Sequence, residues 1–354
     1  MQARELSIDG WRKVVHFEDA PSGLNAIISV HDATLGPGCG GCRMFAYENF
    51  EAALEDVKNL SRAMSYKNAL GGIPFGGGKA VIIGDPKTDK SDSLFKAFGE
   101  ALNMMDGLYY TAEDSGVTDA DMRTVQSVSK YVGGVGVHGL GGNPAPFTAR
   151  GVWRGIQAAA KHRLGAETLN GVRVSILGVG AVGFELARLL HEEGAILTVA
   201  DINQQAVDEA VEQFGAVAVA PEEAVGADVD VFAPCALGGS INETTIDSLK
   251  ARVVAGAANN QLKTPDMDLA LKEKGILYAP DFVINAAGVI SVGLEILGSW
   301  SADELTARID KIGATLTTIF DRAKVDDRPT GAIADEMAME IIARGPSGGR
   351  QAAE

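Results

Sequence analysis

The sequence predicts an α/β protein of two domains. Short apolar runs typical of strands alternate along the chain with segments of helical period, and this alternation is characteristic of α/β folds. The length of 354 residues suits two domains of ordinary size. A stretch rich in glycine and proline, residues 133–146, separates the two halves. We therefore expect one domain over 1–142 and another over 143–334, with a C-terminal helix, about 335–354, returning to the first.

The first domain is expected to contain a mixed sheet. Residues 14–17 and 24–30 predict strands, and a glycine-rich loop over 36–43 precedes a helix over 50–66 whose apolar side chains recur at helical spacing. The remaining predicted elements are a glycine-rich loop over 71–78, a strand over 80–83, a helix over 91–105, a strand over 108–112 and a helix that begins after the capping residue Thr118.

The second domain is expected to contain a doubly wound parallel sheet. A helix over 147–161 leads into an apolar run at 174–177, which is followed by a glycine turn, a helix and a second apolar run. Further strands are predicted at 216–219, 229–233, 253–255 and 276–278, and amphipathic helices at 303–325 and 331–343. Repeated alternation of strand and helix favours parallel pairing of the strands.

The glycine turn of the second domain has the spacing G-x-G-x-x-G. Gly178 permits a tight turn, Gly180 lets the backbone approach a pyrophosphate, and Gly183 lets helix and strand pack closely. Ala181 and Val182 begin the helix whose N-terminal N–H groups face the phosphates. Because strand, turn, helix and second strand follow in register, the stretch predicts a dinucleotide-binding Rossmann unit.

The second strand of this unit ends in Asp201. A carboxylate there accepts hydrogen bonds from both ribose hydroxyls, whereas a 2′-phosphate would meet a like charge, so NAD is the predicted coenzyme. We include the next residue, Ile202, in the coenzyme site. The first domain has no such fingerprint and is therefore the expected substrate domain. We expect the active site in a deep cleft between the two domains.

Charge and composition exclude several classes of partner. The chain has 31 Lys and Arg residues and 47 Asp and Glu residues, which gives a net charge of −16. This charge argues against nucleic acid and anionic membrane surfaces as binding partners. The chain has neither an apolar run of membrane-spanning length nor a signal-peptide pattern at its start. The three cysteines form no disulfide framework, so we expect a reducing cytoplasm.

No metal site is expected. Cys39 and Cys42 have the spacing of a redox or zinc pair, but the sequence supplies no second pair, and the histidines are scattered. Small buried thiols are the better interpretation.

Three charged residues of the first domain are candidates for chemistry. Lys67 lies at or just past the end of the helix over 50–66, Lys79 follows the loop Gly76-Gly77-Gly78, and Asp114 follows a predicted strand. The loop before Lys79 is not a phosphate-binding P-loop, because Ile73 and Ala80 occupy positions where that motif needs glycine and a hydroxyl. Close approach of a substrate or coenzyme ring explains these glycines better.

Several motifs together resemble one family over nearly the whole chain. They are Thr34-Leu35-Gly36-Pro37, Tyr66-Lys67-Asn68-Ala69, Gly76-Gly77-Gly78-Lys79, Thr111-Ala112-Glu113-Asp114, Phe232-Ala233-Pro234-Cys235-Ala236-Leu237-Gly238-Gly239, Ala255-Gly256-Ala257-Ala258-Asn259-Asn260 and Tyr278-Ala279-Pro280-Asp281-Phe282. The chain resembles the NAD-dependent amino-acid dehydrogenases typified by leucine and phenylalanine dehydrogenase, distant relatives of glutamate dehydrogenase.

The resemblance implies a division of roles. Lys67 would hold the substrate carboxylate, Lys79 would have a lowered pKa and act through a water as general base, and Asp114 would shuttle a proton to and from the amino group. The products would be ammonia and a 2-oxo acid. Further implied substrate contacts are Gly40 and Asn260, and implied coenzyme contacts are Thr148, Cys235, Ala236, Asn259 and Asn285. A homo-oligomer, dimer or octamer, is implied as well.

The resemblance also indicates the substrate side chain. The residues facing it would be Cys39, Ala112, Val289 and Val292, and the last three match the leucine type. Leucine-type members carry Leu where this chain has Cys39, and the smaller residue enlarges the pocket, worth about 1–2 kcal/mol of discrimination. We predict a leucine, valine or isoleucine preference, and the alternative is phenylalanine or another bulky amino acid.

Two other functions remain as alternatives. A non-catalytic NAD sensor would keep the glycine turn but would not need Lys79 and Asp114. A 2-hydroxy-acid dehydrogenase needs a histidine base paired with a carboxylate, and no histidine here stands in such a motif.

Overall fold

The computed structural model describes residues 1–136 and 144–346. The chain divides into two compact units. The first comprises Met1–Gly142, Val289–Ala302 and Ala338–Glu354, and the second comprises Asn143–Gly288 and Asp303–Met337. The predicted domain over 143–334 is wrong in one respect, because Val289–Ala302 belongs to the first unit. Its contacts explain this: Ile296 and Val292 pack against Gly133, and Gly293 packs against Ile73.

The first unit contains a mixed sheet in the order β1-β2-β3-β6-β4-β7, and β5 also pairs with β6. Its strands are β1 Gln2–Leu6, β2 Lys13–Asp19, β3 Leu24–Asp32, β4 Gly38–Cys39, β5 Cys42–Phe45, β6 Gly76–Ile83 and β7 Tyr109–Tyr110. Its helices before residue 136 are α1 Phe50–Leu70, α2 Asp92–Met104 and α3 Asp119–Gln126. Strands β1, β2, β3 and β6 run antiparallel in turn, whereas β4 and β5 run parallel to β6.

Side chains of β3 and β6 alternate between two cores. Ile27 and Val81 face a cluster that includes Val57 of α1, whereas Ile28 and Ile82 belong to the cluster under α2 and α3. Alternate residues of a strand point to opposite faces, so helices on both sides of the sheet are the expected result. The central strand β6 is thereby covered on both faces.

Two predicted boundaries in this unit are wrong. Helix α1 continues to Leu70, so Lys67 lies within its last turn. Strand β6 begins at Gly76, so the glycines before Lys79 are strand residues. A Cβ on Gly77 would overlap Ser65 and the backbone of Ser61. These glycines therefore let α1 pack directly on the strand, a use of glycine that resembles a loop in sequence.

Strand β1 and the pair β4 and β5 are absent from the sequence prediction. β1 is exposed along almost its whole length, so it lacks the apolar alternation that predicts a strand. β4 lies inside the predicted glycine-rich loop over 36–43, and β5 begins inside that loop and extends to Phe45.

The second unit contains a parallel sheet in the order β10-β9-β8-β11-β12-β13. The strands are β8 Arg173–Leu177, β9 Ile196–Ala200, β10 Val217–Ala218, β11 Val231–Pro234, β12 Val253–Val254 and β13 Leu277–Tyr278. The helices from residue 145 onward are α4 Ala145–Leu164, α5 Ala181–Glu192, α6 Gln204–Phe214, α7 Pro221–Ala224, α8 Asp266–Glu273, α9 Asp281–Ile284, α10 Ala287–Ile296, α11 Ala302–Ile309, α12 Lys311–Asp326 and α13 Thr330–Arg344. The strand order reverses at β8, as in doubly wound sheets, and the predicted fold class is confirmed.

The predicted C-terminal helices need two corrections. The helix over 303–325 is interrupted at Asp310, whose carboxylate accepts hydrogen bonds from Arg150 and Arg154 at 2.8–3.1 Å. The last helix ends at Arg344 and does not extend to 354, because Gly345 has a φ of +71°, a left-handed conformation that ends helices. The tail over 347–354 and the boundary at 142–143 lie outside the described residues.

Asp268 of α8 caps the start of α13. Its carboxylate accepts from the backbone N–H groups of Gly331 at 2.9 Å and Ala332 at 3.3 Å. Burial raises the pKa of Asp268 from 3.8 to about 6, although these donors oppose the rise. Between pH 3.8 and about 6 the folded state therefore binds more protons than the unfolded state. The free energy of unfolding is expected to fall as the pH rises through this window.

We expect Asp268→Asn to remove this pH dependence. The amide keeps an acceptor for α13 but does not ionise, so the variant gains up to about 3 kcal/mol at pH 7.5 relative to the parent and little at pH 4. Urea unfolding at both pH values measures the difference. Asp266→Asn, at an exposed position of the same helix, is the control. Parallel unfolding curves for parent and Asp268→Asn would contradict the account.

Candidate active site

The first unit places Lys79 and Asp114 in direct contact. Lys79 lies on the central strand β6, is only 6% exposed, and its Nζ lies 2.5 Å from Asp114 Oδ2. Asp114 is fixed by its backbone neighbours, because Cys42 N–H donates to the carbonyl of Ala112 and Met44 N–H to that of Ser115. The two candidates predicted from separate motifs thus form a buried ion pair.

Asp114 is held in its charged form. Burial raises the pKa of this carboxyl, but the positive charges of Lys79 and Arg43 outweigh burial and leave the pKa below 3.8. Arg43 Nε lies 3.5 Å from the same carboxylate oxygen. The carboxylate is therefore a base at neutral pH and stands between two cations.

Glycines allow the backbone to close around this pair. A Cβ on Gly40 would overlap the carbonyl of Gly78 and lie 3.0 Å from Met64 Cγ, and a Cβ on Gly41 would lie 2.8 Å from Asp114 Cβ. Gly41 was not among the predicted site residues. Lys67 projects from the last turn of α1, the helix that packs on Gly77 of β6, and it is partly exposed.

Part of the predicted side-chain pocket is assembled within the first unit. A Cβ on Gly134 would lie 3.4 Å from Val292 Cγ2 and 3.7 Å from Ala112 Cβ, so these two predicted residues both lie close to Gly134. Val289 precedes Val292 by one turn of α10. Cys39 is fully buried in β4, and burial raises the pKa of its thiol to about 12, so it is a small neutral group.

In the second unit the glycines of the turn have distinct surroundings. Gly178 has a φ of +100°, and its Cβ would lie 2.7 Å from the backbone nitrogen of Ala236. A Cβ on Gly183 would overlap the carbonyl of Gly178 and lie 3.4 Å from Cys235 Cβ. Gly180 differs, because among the described residues nothing beyond its chain neighbours comes within 4 Å of the position of its Cβ. Of the three glycines of this turn, Gly180 is therefore the one at which the described fold leaves room for a side chain.

The start of α5 and the end of β9 face this turn. Gly180 is the N-cap of α5 and no described side chain caps the N–H groups that follow, those of Ala181 and Val182 included. Asp201 accepts from the N–H groups of Val179 at 2.7 Å and Asn203 at 2.8 Å, which fixes its carboxylate against the turn. These features fit a dinucleotide, with room at Gly180 for the pyrophosphate.

The other predicted coenzyme residues lie after the carboxyl ends of strands, in the first turn of α4 or at the end of α9. Cys235 and Ala236 follow β11, with Cys235 N–H donating to the carbonyl of Leu177, and Ile202 is 96% exposed after β9. Asn285 donates to Asn259 Oδ1 at 2.8 Å. Thr148 lies in the first turn of α4. Asn260, which was predicted to bind the substrate, takes the left-handed conformation with a φ of +52°.

The part of the chain that the structure describes lacks two kinds of feature. Across 1–136 and 144–346, no group of three or more His, Cys, Asp and Glu side chains is arranged to hold a metal ion. Within the same residues, no helix combines the length and hydropathy needed to cross a membrane.

Sequence reasoning missed Arg43, Asp56 and Tyr47, which extend the ion pair. Arg43 Nη1 lies 3.0 Å from Asp56 Oδ2, and Tyr47 donates to the same oxygen at 2.6 Å. Arg43 is the last residue of the glycine-rich segment over 36–43, which was predicted as a loop because of its glycines. The only signal in the sequence was a cation two residues after Gly41, which spacing alone does not connect to Asp114.

Comparison with known proteins gives consistent similarities. A family model described as Glu/Leu/Phe/Val dehydrogenase, dimerisation domain, matches residues 12–131, and one described as Glutamate/Leucine/Phenylalanine/Valine dehydrogenase matches 199–343. The chain is 50% identical to the leucine dehydrogenase of Geobacillus stearothermophilus over 94% of its own length and 90% of the relative's. It is 43% identical to the phenylalanine dehydrogenase of Bacillus thermotolerans over 94% and 89%.

Among solved structures, the L-tryptophan dehydrogenase from Nostoc punctiforme is similar with a TM-score of 0.86 and 41% identity, covering 95% of this chain and 96% of that one. A hetero-hexameric glutamate dehydrogenase from Thermus thermophilus, at 23% identity and a TM-score of 0.74, covers 98% of this chain and 90% of that one, and shares the fold.

Proposed function

Because the chain belongs to the Glu/Leu/Phe/Val dehydrogenase family, we propose that it catalyses the reversible, NAD-dependent oxidative deamination of a branched-chain L-amino acid to the 2-oxo acid and ammonia. The family predicted from the motifs is confirmed, and the chain is an amino-acid dehydrogenase. The observation that carries the proposal is the buried contact of Lys79 with Asp114. A non-catalytic nucleotide sensor would have no use for this pair.

The coenzyme fits the second unit. Gly178, Gly180 and Gly183, with the N–H groups that begin α5, would hold the pyrophosphate, and Asp201 would hold the ribose. When bound, the nicotinamide ring accepts the hydride that leaves the substrate Cα. A carboxylate at position 201 favours NAD over NADP, since it would repel a 2′-phosphate.

The first unit would bind and orient the amino acid. The ammonium of Lys67 pairs with the substrate carboxylate, and the pocket at Ala112, Val289 and Val292 receives the side chain. Asp114, ionised at neutral pH, accepts a proton from the substrate amino group and so prepares the loss of hydride from Cα. These contacts fix the substrate before any bond breaks.

Lys79 and Asp114 would then complete the reaction. As a water oxygen bonds to the imino carbon, Lys79 Nζ takes the proton that the water loses. Asp114 returns its proton to the carbinolamine nitrogen, and the C–N bond breaks so that ammonia leaves. The hydroxyl proton of the carbinolamine passes to the Asp114 carboxylate freed by that transfer, which then releases it to solvent. Because the pair is buried, its charges act in a medium of low dielectric where they are stronger than in water.

The proposed preference for leucine, isoleucine or valine has two supports. The relatives named leucine dehydrogenase are 47–50% identical to this chain, whereas those named phenylalanine or tryptophan dehydrogenase are 43–44% identical. Ala112 and Val292 carry the residues of the leucine type. Cys39 favours the alternative, a preference for phenylalanine or another bulky amino acid, because it is smaller than the leucine expected there.

A substrate panel tests this function. NADH formation at alkaline pH is measured with L-leucine, L-isoleucine, L-valine, L-methionine, L-phenylalanine and L-tryptophan, and repeated with NADP. We expect kcat/KM for leucine to exceed that for phenylalanine by about tenfold or more, the scale of discrimination by one or two methylenes. A tenfold advantage for phenylalanine would establish the alternative. NAD binding without turnover of any amino acid would establish the sensor.

Assembly and location are part of the proposal. We propose a homo-oligomer, a dimer or an octamer, and the description of the first family model as a dimerisation domain supports it. We propose a reducing cytoplasm, and the free thiols of Cys39, Cys42 and Cys235 support that compartment.

A further inference from the structure

Arg43 of β5 stands between two carboxylates. Its Nε lies 3.5 Å from Asp114 Oδ2, and its Nη1 lies 3.0 Å from Asp56 Oδ2. Tyr47 fixes Asp56 through a hydrogen bond of 2.6 Å. The side chain of Arg43 is only 24% exposed. Asp56 thus holds the guanidinium of Arg43 through Nη1, while Nε lies beside Asp114, the carboxylate that also contacts Lys79.

The Nε atom of Arg43 lies beside Asp114 without a hydrogen bond. This nitrogen is buried and makes no hydrogen bond to any described residue. Asp114 Oδ2 lies 3.5 Å from it. A buried guanidinium N–H without a partner is costly, so its retention beside the ion pair indicates a role there.

The proposed reaction gives that role a physical reason. Lys79 must be neutral when it takes a proton from water, and at that moment Asp114 loses its nearest cation. A buried carboxylate without a cation favours protonation. Arginine, by contrast, stays charged at every accessible pH. One cation beside Asp114 therefore changes its charge during turnover, and the other does not.

We propose that Arg43 is a positioning residue, the permanent counter-ion that keeps the Asp114 carboxylate ionised and oriented while Lys79 changes charge. This inference rests on the proposed function. In this role Arg43 acts through Asp114. It is absent from the roles that the sequence motifs implied.

The electrostatic surroundings of Asp114 are defined. Lys79 of β6 and Arg43 of β5 lower its pKa against burial. Arg43 also interacts with Asp56 of α1 and with Tyr47. Other titratable groups that interact with Lys79 or Asp114 include Cys39, Cys42, Tyr109 and Glu113, and Glu113 in turn faces Lys90, Asp119 and Asp121.

The test is the pH dependence of kcat/KM for oxidative deamination, whose acidic limb reports groups that must be deprotonated in the free enzyme. In Arg43→Gln we expect this limb, which reports the coupled pair of Lys79 and Asp114, to move up by about one pH unit, because the pair loses a positive charge that favours its deprotonated form. We expect kcat to fall more than KM changes. Arg43→Lys restores the positive charge but not the planar guanidinium that contacts two carboxylates. Its acidic limb should therefore lie close to the pH at which the limb of the parent lies.

Asp56→Asn gives a test of opposite sign. Removing the second carboxylate leaves the charge of Arg43 less neutralised, so the acidic limb should move to lower pH. Arg62→Gln removes an exposed arginine of α1 and should leave the limb in place. If Arg43→Gln does not fold, as urea unfolding and NADH binding will reveal, Arg43→Lys and Asp56→Asn decide the question.

The possible outcomes distinguish a failure of the proposed role of Arg43 from a failure of the proposed oxidative deamination. A parent enzyme that oxidises no amino acid would overturn both. An active parent whose variants lose rate equally at every pH, with no rescue by lysine, would show a merely structural arginine and overturn the inference alone. Shifts of the same sign in Arg43→Gln and Asp56→Asn would overturn it as well.

Discussion

Lys79→Ala is expected to lower kcat/KM for oxidative deamination by about 10²–10⁴-fold, the range supplied by a positioned general base. The amine is 6% exposed and lies 2.5 Å from Asp114, so no other described cation except Arg43 can serve that carboxylate. Arg43 cannot replace Lys79 as a base, because guanidinium does not lose its proton. NADH binding to the second unit should be unchanged.

The control for this loss is Lys87→Ala, an exposed lysine in the loop after β6. It should retain the activity of the parent. Steady-state rates and NADH titration by fluorescence measure the two properties separately. An Lys79→Ala enzyme that deaminates its preferred amino acid as fast as the parent would refute the assignment of the base.

Gly180→Ala is expected to weaken NADH binding by about 10–100-fold, a loss of about 1.4–2.8 kcal/mol. The fold itself tolerates a side chain here, because the Cβ position is open among the described residues and φ is −68°. The added methyl would occupy the space that the pyrophosphate needs. The urea midpoint should therefore stay that of the parent while KM for NAD rises.

Gly226→Ala is the matched control in the same unit, since its Cβ would make only ordinary contact with Ser248 at 3.5 Å. It should change neither binding nor stability. By contrast, alanine at Gly178 or Gly183 would collide with the backbone of Ala236 or Gly178. Full NADH affinity in Gly180→Ala would contradict the proposed place of the phosphates.

The coenzyme unit could be predicted from sequence because its parts are local. Strand, glycine turn, helix and Asp201 follow one another, so each signal supports the next within a short stretch. Lys79 and Asp114 could be named as well, although not as a pair, because their contact depends on how β4, β5 and β6 bring distant segments together. Periodicity describes a single element and contains no information on that pairing.

The elements that were missed lack periodic signal for physical reasons. β4 has only two residues and β5 only four, too few to show alternation. The glycines of β6 have no side chains to alternate, and their sequence imitates a loop. Arg43 is identified only by its two carboxylate partners, one from α1 and one after β7, which no spacing rule connects.

The contact of α1 with the glycines of β6, at Ser61, Ser65 and Gly77, has a consequence for redesign, and we call this contact the seam. Ser61 and Ser65 meet the glycine strand backbone to backbone, so the seam contains no spare volume that a larger residue could use. Libraries that aim at new amino-acid substrates should leave this seam untouched and vary the neighbourhood of Ala112 and Val292, where side chains rather than main chain set the space. The enzyme would then keep the packing of α1 on β6 while its substrate preference changes.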